Sequence, residues 1–182
     1  MHSPITIKKK INSFNKTIYV NGDKSLSIRW ALLASQAKGK SRAYNLLKSL
    51  DVISTLNCLK KLGIKVKFKN NFCEIESPGL NSFKNKRNII LDSGNSGTLG
   101  RLILGLLVHY KNKVKIIGDK SLSQRDFSRV IIPLRKFGAS FDYKGKFKLP
   151  VKITGLINAK PIKYFEKKGS AQCKSSVILA AL

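Results

Sequence analysis

Three segments rich in small residues each stand directly before an apolar stretch of helical spacing: Gly22-Asp23-Lys24-Ser25, Ser93-Gly94-Asn95-Ser96-Gly97-Thr98 and Lys168-Gly169-Ser170-Ala171-Gln172. A helix N-terminus offers unpaired N–H groups and the positive end of a dipole, and glycine lets an anion approach the backbone closely. The chemistry such loops suit is the holding of phosphate or carboxylate. Any one of them is more simply a helix cap; three together, with cations beside them, favour anion binding. Lys24 begins its helix, and Arg29 shares a face with Ser25 four residues earlier. Arg101 lies one turn inside the helix that the Asn95 loop opens, and Arg125 follows a second copy of the first loop. Arginine is a planar, bidentate donor, and these positions stand out in a chain with only seven arginines. Arg101 also admits a purely structural reading, a buried ion pair with an aspartate such as Asp92.

Groups for proton transfer or covalent catalysis are scarce. His2 and His109 are far apart, and His109 suits a helix C-terminus better than a general base. No nucleophile elbow, metal-ligand set, Walker loop or dinucleotide fingerprint occurs. Nine carboxylates are present in all, of which Asp23, Asp51 and Asp92 lie near the loops, with Asp51 and Asp126 placed to cap helices. The residues describe a site that binds anions and lacks an evident acid and base.

The elements that must position these loops come in duplicate. Gly22-Asp23-Lys24-Ser25-Leu26-Ser27-Ile28-Arg29 recurs as Gly118-Asp119-Lys120-Ser121-Leu122-Ser123-Gln124-Arg125, identical at seven of eight positions. A looser echo relates Asp51 to Gly63 with Asp126 to Gly138, each a helix closed by glycine and followed by a strand. Apolar spacing predicts helices at 25–38, with Gly39 as its cap, and at 51–62, 97–109, 126–137 and 171–182. The third is apolar nearly all round, which predicts a buried central helix. Strands are expected at 4–8, 17–20, 42–47, 64–69, 72–76, 88–91, 113–117, 140–143, 151–154 and 161–165. The order β-α-β-α-β-β, occurring twice, argues for α/β layers. The chain enters its last helix and stops there, so it is expected to be the front part of a longer protein.

The 182 residues suffice for one ordinary domain with a real core, and 42% apolar with 25% charged residues excludes a disordered chain. The anomaly is a net charge of +27, from 36 Lys and Arg against nine Asp and Glu. Such charge would suit a nucleic-acid partner. Much of the lysine, however, alternates with apolar residues, as in Lys65-Val66-Lys67-Phe68-Lys69 and Lys113-Val114-Lys115-Ile116, the pattern of half-buried strands with a solvated face. Cys58, Cys73 and Cys173 form neither a disulfide framework nor a zinc site. No secretory h-region or membrane span is evident, so the expected location is the cytoplasm.

Four ordered motifs carry a family resemblance: Gly22-Asp23-Lys24-Ser25 with Ser27 and Arg29; Leu91-Asp92-Ser93-Gly94-Asn95-Ser96-Gly97-Thr98 with Arg101; Gly118-Asp119 with Ser121, Leu122 and Arg125; and Ser170-Ala171-Gln172-Cys173-Lys174-Ser175. In order and spacing they resemble 5-enolpyruvylshikimate-3-phosphate synthase, from about residue 18 onward. The sister family, UDP-N-acetylglucosamine enolpyruvyl transferase, lacks the Asn95 loop and the Ser170-Ala171-Gln172 segment in this form. The resemblance implies an inside-out α/β barrel of the enolpyruvyl transferase type, built from repeated β-α-β-α-β-β units and incomplete in this chain. Residues 1–17 would pack with the family's second globular domain, and 18–182 would form most of the first. It further implies phosphoenolpyruvate and shikimate 3-phosphate as substrates, no metal or organic cofactor, and a monomer when complete. Carried over by position, Lys24 would touch both substrates, and Ser25 and Arg29 would hold shikimate 3-phosphate. Gly97 and Arg125 would hold phosphoenolpyruvate, Asn95 would be a further substrate-binding residue, and Ser170, Ala171 and Gln172 would complete the shikimate side, with Gln172 reaching both ligands. The acid and base would come from outside this chain. Val20-Asn21 and Asp126-Phe127 depart from the family's usual prolines, and Asp126 is expected to weaken the pull of Arg125 on its anion. A basic nucleic-acid-binding module is the alternative from another class, disfavoured because few aromatics interleave with the lysines; a degenerate, partner-binding domain is a third.

Overall fold

The computed structural model describes residues 13, 15–80, 82–84, 88–166 and 169–182; the strand expected at 4–8, His2 and Lys168 lie outside the described residues. The first unit consists of α1 (Lys24–Ala34), β1 (Gly39–Ala43), α2 (Leu50–Lys61), β2 (Lys65–Lys69) and β3 (Phe72–Ser77). The second runs β4 (Ile89–Asp92), α3 (Gly97–Leu106), a 3-10 turn over Leu107–His109, β5 (Val114–Ile117), α4 (Lys120–Ser123), α5 (Ser128–Lys136), β6 (Ser140–Lys144) and β7 (Lys148–Thr154). Helix α6 (Ala171–Leu179) follows.

Each unit builds its own sheet. The first is antiparallel in the order β1-β3-β2, and the second runs β4-β5-β7-β6 with only β4 and β5 parallel. Parallel neighbours need a crossover, and α3 supplies it. Every residue of α3 except Arg101 is buried, because α1, α2, α5 and α6 surround it. Helices thus occupy the inside, and the sheets turn alternate residues to solvent. Lys65, Lys67 and Lys69 are exposed while Val66 and Phe68 between them are half-buried. Cross-strand ion pairs compensate part of that face: Arg42–Glu74 at 2.9 Å, Lys65–Glu76 at 3.4 Å and Lys67–Glu74 at 3.8 Å.

Local chemistry explains where the elements end. Gly63, with φ +92°, follows the α2 cap residue Leu62, and the N–H groups of Gly63 and Ile64 reach back to the carbonyls of Lys60 and Leu59, which is a Schellman closure. Gly138 (φ +106°) ends α5 in the same way through Arg135. The expected role of Gly39 differs: α1 stops at Ala34, where the Ser35 hydroxyl donates to the Leu32 carbonyl at 2.6 Å, and Gly39 opens β1 instead.

Three other expectations are corrected. Residues 17–20 form no strand; Ile18, Tyr19 and Val20 are exposed, and Val20 O accepts a side-chain bond from Asn45 Nδ2 at 3.2 Å in place of a ladder. Residues 161–165 form none either, since Pro161 has no N–H to give and the Lys160 N–H is taken by the Phe137 carbonyl. The helix expected over 97–109 changes to a 3-10 turn at Leu107.

Candidate anion site

Four helices begin at the motif loops, each capped by a side chain. Asp23 Oδ1 accepts from Leu26 N at 2.7 Å, Ser96 Oγ from Leu99 N at 3.2 Å, Asp119 Oδ1 from Leu122 N at 2.7 Å and Ser170 Oγ from Cys173 N at 3.3 Å. Serine and aspartate do this because their short side chains reach the free N–H groups of the first turn. Asp51 does not cap α2; Ser49 does, and Asp51 sits in the first turn, where it pairs with Lys24 at 3.1 Å. Asp126 is not the cap of α5 either, since Phe127 holds that position without a side-chain bond; Asp126, one residue earlier, accepts from Ser128 N at 2.7 Å and from Ser128 Oγ at 2.6 Å.

The loops are bolted together by specific bonds. Asn95 Nδ2 donates to Asp119 Oδ2 at 2.5 Å, and Asp119 N to the Gly94 carbonyl at 2.8 Å, joining the Asn95 loop to the second copy of the repeat. Gln172 joins the Ser170 loop to α3: its Nε2 donates to Thr98 Oγ1 at 3.1 Å, and its Oε1 accepts from Arg101 Nη1 at 2.9 Å. The first loop connects through α2. Asp51 faces Lys24, and Ser54, one turn on, lies so near Gly94 (φ +53°) that a Cβ there would sit 3.3 Å from the Ser54 hydroxyl.

Arg101 is the hub. Besides Gln172 it reaches the carbonyls of Gly97 and Asp126, both at 3.4 Å, and its guanidinium lies over the Phe127 ring, 5.1 Å from the centroid. It forms no ion pair with Asp92, whose carboxylate accepts instead from Gly94 N at 2.8 Å. Burial, with the neighbouring charges of Arg125 and Arg129, holds the Arg101 guanidinium below its ordinary value. A Cβ added to Gly97 would lie 2.9 Å from Arg101 Nη1 and 3.0 Å from Arg125 Nη1. Two guanidinium groups therefore converge over the one glycine at the N-terminus of α3.

The remaining expected site residues fall as follows. Arg29 is half-buried and donates to the Ser25 carbonyl at 3.3 Å, so both lie on the first turns of α1. Ala171 is the exposed first residue of α6. His109 stands apart; its Nε2 is 3.0 Å from the Ala180 carbonyl, beside a separate hollow of about 370 Å³ at the far end of α6. Burial pushes the Cys58 thiol up to about 12 and that of Cys73 to about 11, which leaves neither a nucleophile at neutral pH. Among the described residues no group of three or more His, Cys, Asp or Glu could hold a metal ion.

One contributor escaped the motif reading: Glu166 takes Arg129 Nη2 at 2.7 Å and the Tyr164 hydroxyl. Its signal was rarity, as one of nine carboxylates in a chain of +27. Asp119, a motif residue, proves to anchor Asn95 as well as cap its own helix.

Fold and site together define an α/β chain of duplicated units in which the loops opening α3, α4 and α6 are bonded together and Arg101 and Arg125 converge on Gly97. A sequence profile for EPSP synthase (3-phosphoshikimate 1-carboxyvinyltransferase) matches residues 8–182, and the chain belongs to that family. It is 38% identical over 177 residues to 3-phosphoshikimate 1-carboxyvinyltransferase of Streptococcus mutans, covering 97% of this chain and 41% of that protein. The protein of the same name in Caldicellulosiruptor saccharolyticus is 39% identical over 183 residues, again with 41% of its length covered. The solved structure of EPSP synthase from Acinetobacter baumannii superposes with a TM-score of 0.84 at 36% identity, over 90% of this chain and 37% of that one. The chain thus spans about two fifths of the length of the relatives it matches.

Proposed function

We propose that this chain carries the N-terminal half of a site that transfers the enolpyruvyl group of phosphoenolpyruvate to the 5-hydroxyl of shikimate 3-phosphate, giving 5-enolpyruvylshikimate 3-phosphate and phosphate. The observation that carries the proposal is the convergence of Arg101 and Arg125 over Gly97, bolted to the Ser170 loop through Gln172. Two anionic substrates repel one another, and fixed guanidinium groups at helix N-termini offset that repulsion while orienting both.

In this reading Ser25, Arg29, Ser170 and Ala171 take the shikimate phosphate side, while Asn95, Gly97 and Arg125 take phosphoenolpyruvate. Lys24 exchanges its Asp51 partner for substrate and touches both ligands. Gln172 spends its amide on Arg101 and Thr98 and keeps the arginine aimed. The chemistry is addition followed by elimination. The 5-hydroxyl oxygen bonds to C2 of phosphoenolpyruvate as its proton leaves and C3 gains one; C3 then loses a proton as the C2–O bond to phosphate breaks. The acid and base come from residues outside this chain. The complete protein works as a monomer in the cytoplasm; no described helix is long and apolar enough to cross a membrane.

Calorimetric titration of the chain with shikimate 3-phosphate tests the proposal. Saturable binding is expected, weakened at raised salt and lost in Arg29→Ala, with no phosphate release on adding phosphoenolpyruvate. A folded chain that ignores shikimate 3-phosphate, or binds it as well without Arg29, would count against it.

A further inference from the structure

Between β7 and α6 the chain runs without helix or strand through its described residues, and Ile157 (70% exposed) and Phe165 (81%) show how little of it is buried. Backbone bonds hold its first part: Gly155 N and Leu156 N donate to the carbonyls of Tyr110 and Val108, and Lys160 N to that of Phe137. Nearer the Ser170 loop the hold passes to side chains. Glu166, four residues before the α6 cap, receives Arg129 Nη2 at 2.7 Å on one carboxylate oxygen and the Tyr164 hydroxyl on the other. Its side chain is only 7% exposed, although it belongs to an otherwise open stretch. Arg129 stands in the first turn of α5, two residues beyond Phe127, whose ring lies under Arg101.

We infer that Glu166, through Arg129 and with Tyr164 behind it, is a positioning residue that seats the Ser170 loop against the arginines of the Gly97 loop. The inference rests on the functional reading above. Arg129 belongs to α5, which packs against α6, so the Glu166 pair bears on the start of α6 and, through Gln172, on Arg101. The pairing also answers a charge problem. Arg129 is the third guanidinium of this cluster, and Glu166 compensates it, leaving Arg101 and Arg125 as the cations open to a ligand.

The sign of one substitution separates positioning from plain electrostatics. Removing a carboxylate near an anion site strengthens anion binding if only Coulomb forces act. If Glu166 positions the loop, Glu166→Gln weakens uptake of shikimate 3-phosphate, by about tenfold for coupling within one salt-bridge network. The exchanged pair Arg129→Glu with Glu166→Arg is expected to recover binding to within about threefold of the parent. Amide hydrogen exchange of residues 170–173 should quicken in Glu166→Gln while that of α3 stays unchanged. Tighter or unaltered binding, or unaltered exchange in the loop, overturns the inference. If the folded parent takes up no shikimate 3-phosphate, the functional reading fails, and the exchange experiment decides positioning by itself: quickened exchange supports it and unaltered exchange overturns it. Should Glu166→Gln not fold, Tyr164→Phe, which removes one bond to the carboxylate, is expected to quicken exchange in the same loop, and no change there overturns the inference.

Discussion

The two copies of the eight-residue motif begin alike and end differently. In each the aspartate caps its helix through the N–H three residues on, at 2.7 Å in both, and the serine after the leucine returns its N–H to the aspartate carbonyl, at 3.0 Å for Ser27 and 2.9 Å for Ser123. From there α1 continues to Ala34, whereas α4 stops at Ser123. The shared leucine is 68% exposed as Leu26 and fully buried as Leu122. Seven identical residues therefore specify a helix start and its aspartate cap, but neither the length of the helix nor the face it buries. Those follow from what comes next. Ile28, Ala31 and Leu32 give α1 a stripe at helical spacing, all fully buried. At the matching positions the second copy has Gln124, Phe127 and Ser128. Phe127 is drawn into the core, its N–H donating to the Phe147 carbonyl at 3.0 Å, and the chain must turn to let it enter.

The sharpest way to break this comparison is to exchange the one differing residue. Ile28→Gln buries an amide in the core without a partner and is expected to destabilise by about 4 kcal/mol, while Gln124→Ile, at an exposed site, stays within about 0.5 kcal/mol. Chemical denaturation measures both. If Gln124→Ile lengthened α4, seen as added helical ellipticity, the residue at that position rather than the pull of Phe127 would set the helix end.

Somewhat smaller is the effect of the leading glycines. A Cβ on Gly22 would collide with the backbone carbonyl of Asn45, which cannot yield without moving β1's continuation, so Gly22→Ala is expected to cost about 3 kcal/mol. On Gly118 the Cβ meets the Leu122 Cδ2 tip at 2.7 Å and the Gly94 carbonyl at 3.0 Å, a milder conflict because the shortest contact is with a side-chain end, and Gly118→Ala is expected to cost about 2 kcal/mol. Equal losses in thermal melts would show that the Asn45 carbonyl yields as readily as the Leu122 tip, and the two loops would then be equally rigid.

The smallest effect concerns acid. Hydrogen bonds from the Leu122 N–H and the Asn95 amide hold the Asp119 carboxyl below its usual value. A lowered folded-state value means the unfolded chain binds the proton first. The stability it contributes is thus full above about pH 4 and is lost as pH falls through the folded-state value. Asp119→Asn keeps one capping oxygen but loses the charge, and is expected to flatten the acid limb of the stability curve by lowering stability at neutral pH toward its acid-side value. An acid limb as steep as the parent's would show that Asp119 contributes nothing to it.

Much of the site was legible because its parts are local. Asp23, Ser96 and Ser170 cap helices through bonds spanning three residues, and Gly63 and Gly138 close them over a similar span, so residue type and spacing carry the signal. Arg101 was conspicuous as the one charge in an apolar helix. Its partners were not legible: Gln172 lies 71 residues away, and the aspartate that seemed its natural counter-ion is taken by the Gly94 N–H. The missed strands at 17–20 and 161–165 failed for a related reason, since an apolar alternation describes a strand only where a neighbour offers its edge.

By itself the sequence determined the helix starts, the duplicated unit, the lysine-coated strand faces and the residues that open and cap the motif helices. All of these depend on contacts within a few residues or on the two-residue and 3.6-residue periods of burial. Tertiary structure decided where α4 ends, that Lys24 meets Asp51, that Asn95 is held by Asp119, and that Arg101 and Arg125 converge over Gly97. Each of these is a meeting of segments distant in the chain, set by which side chains the core admits, and no local spacing encodes it.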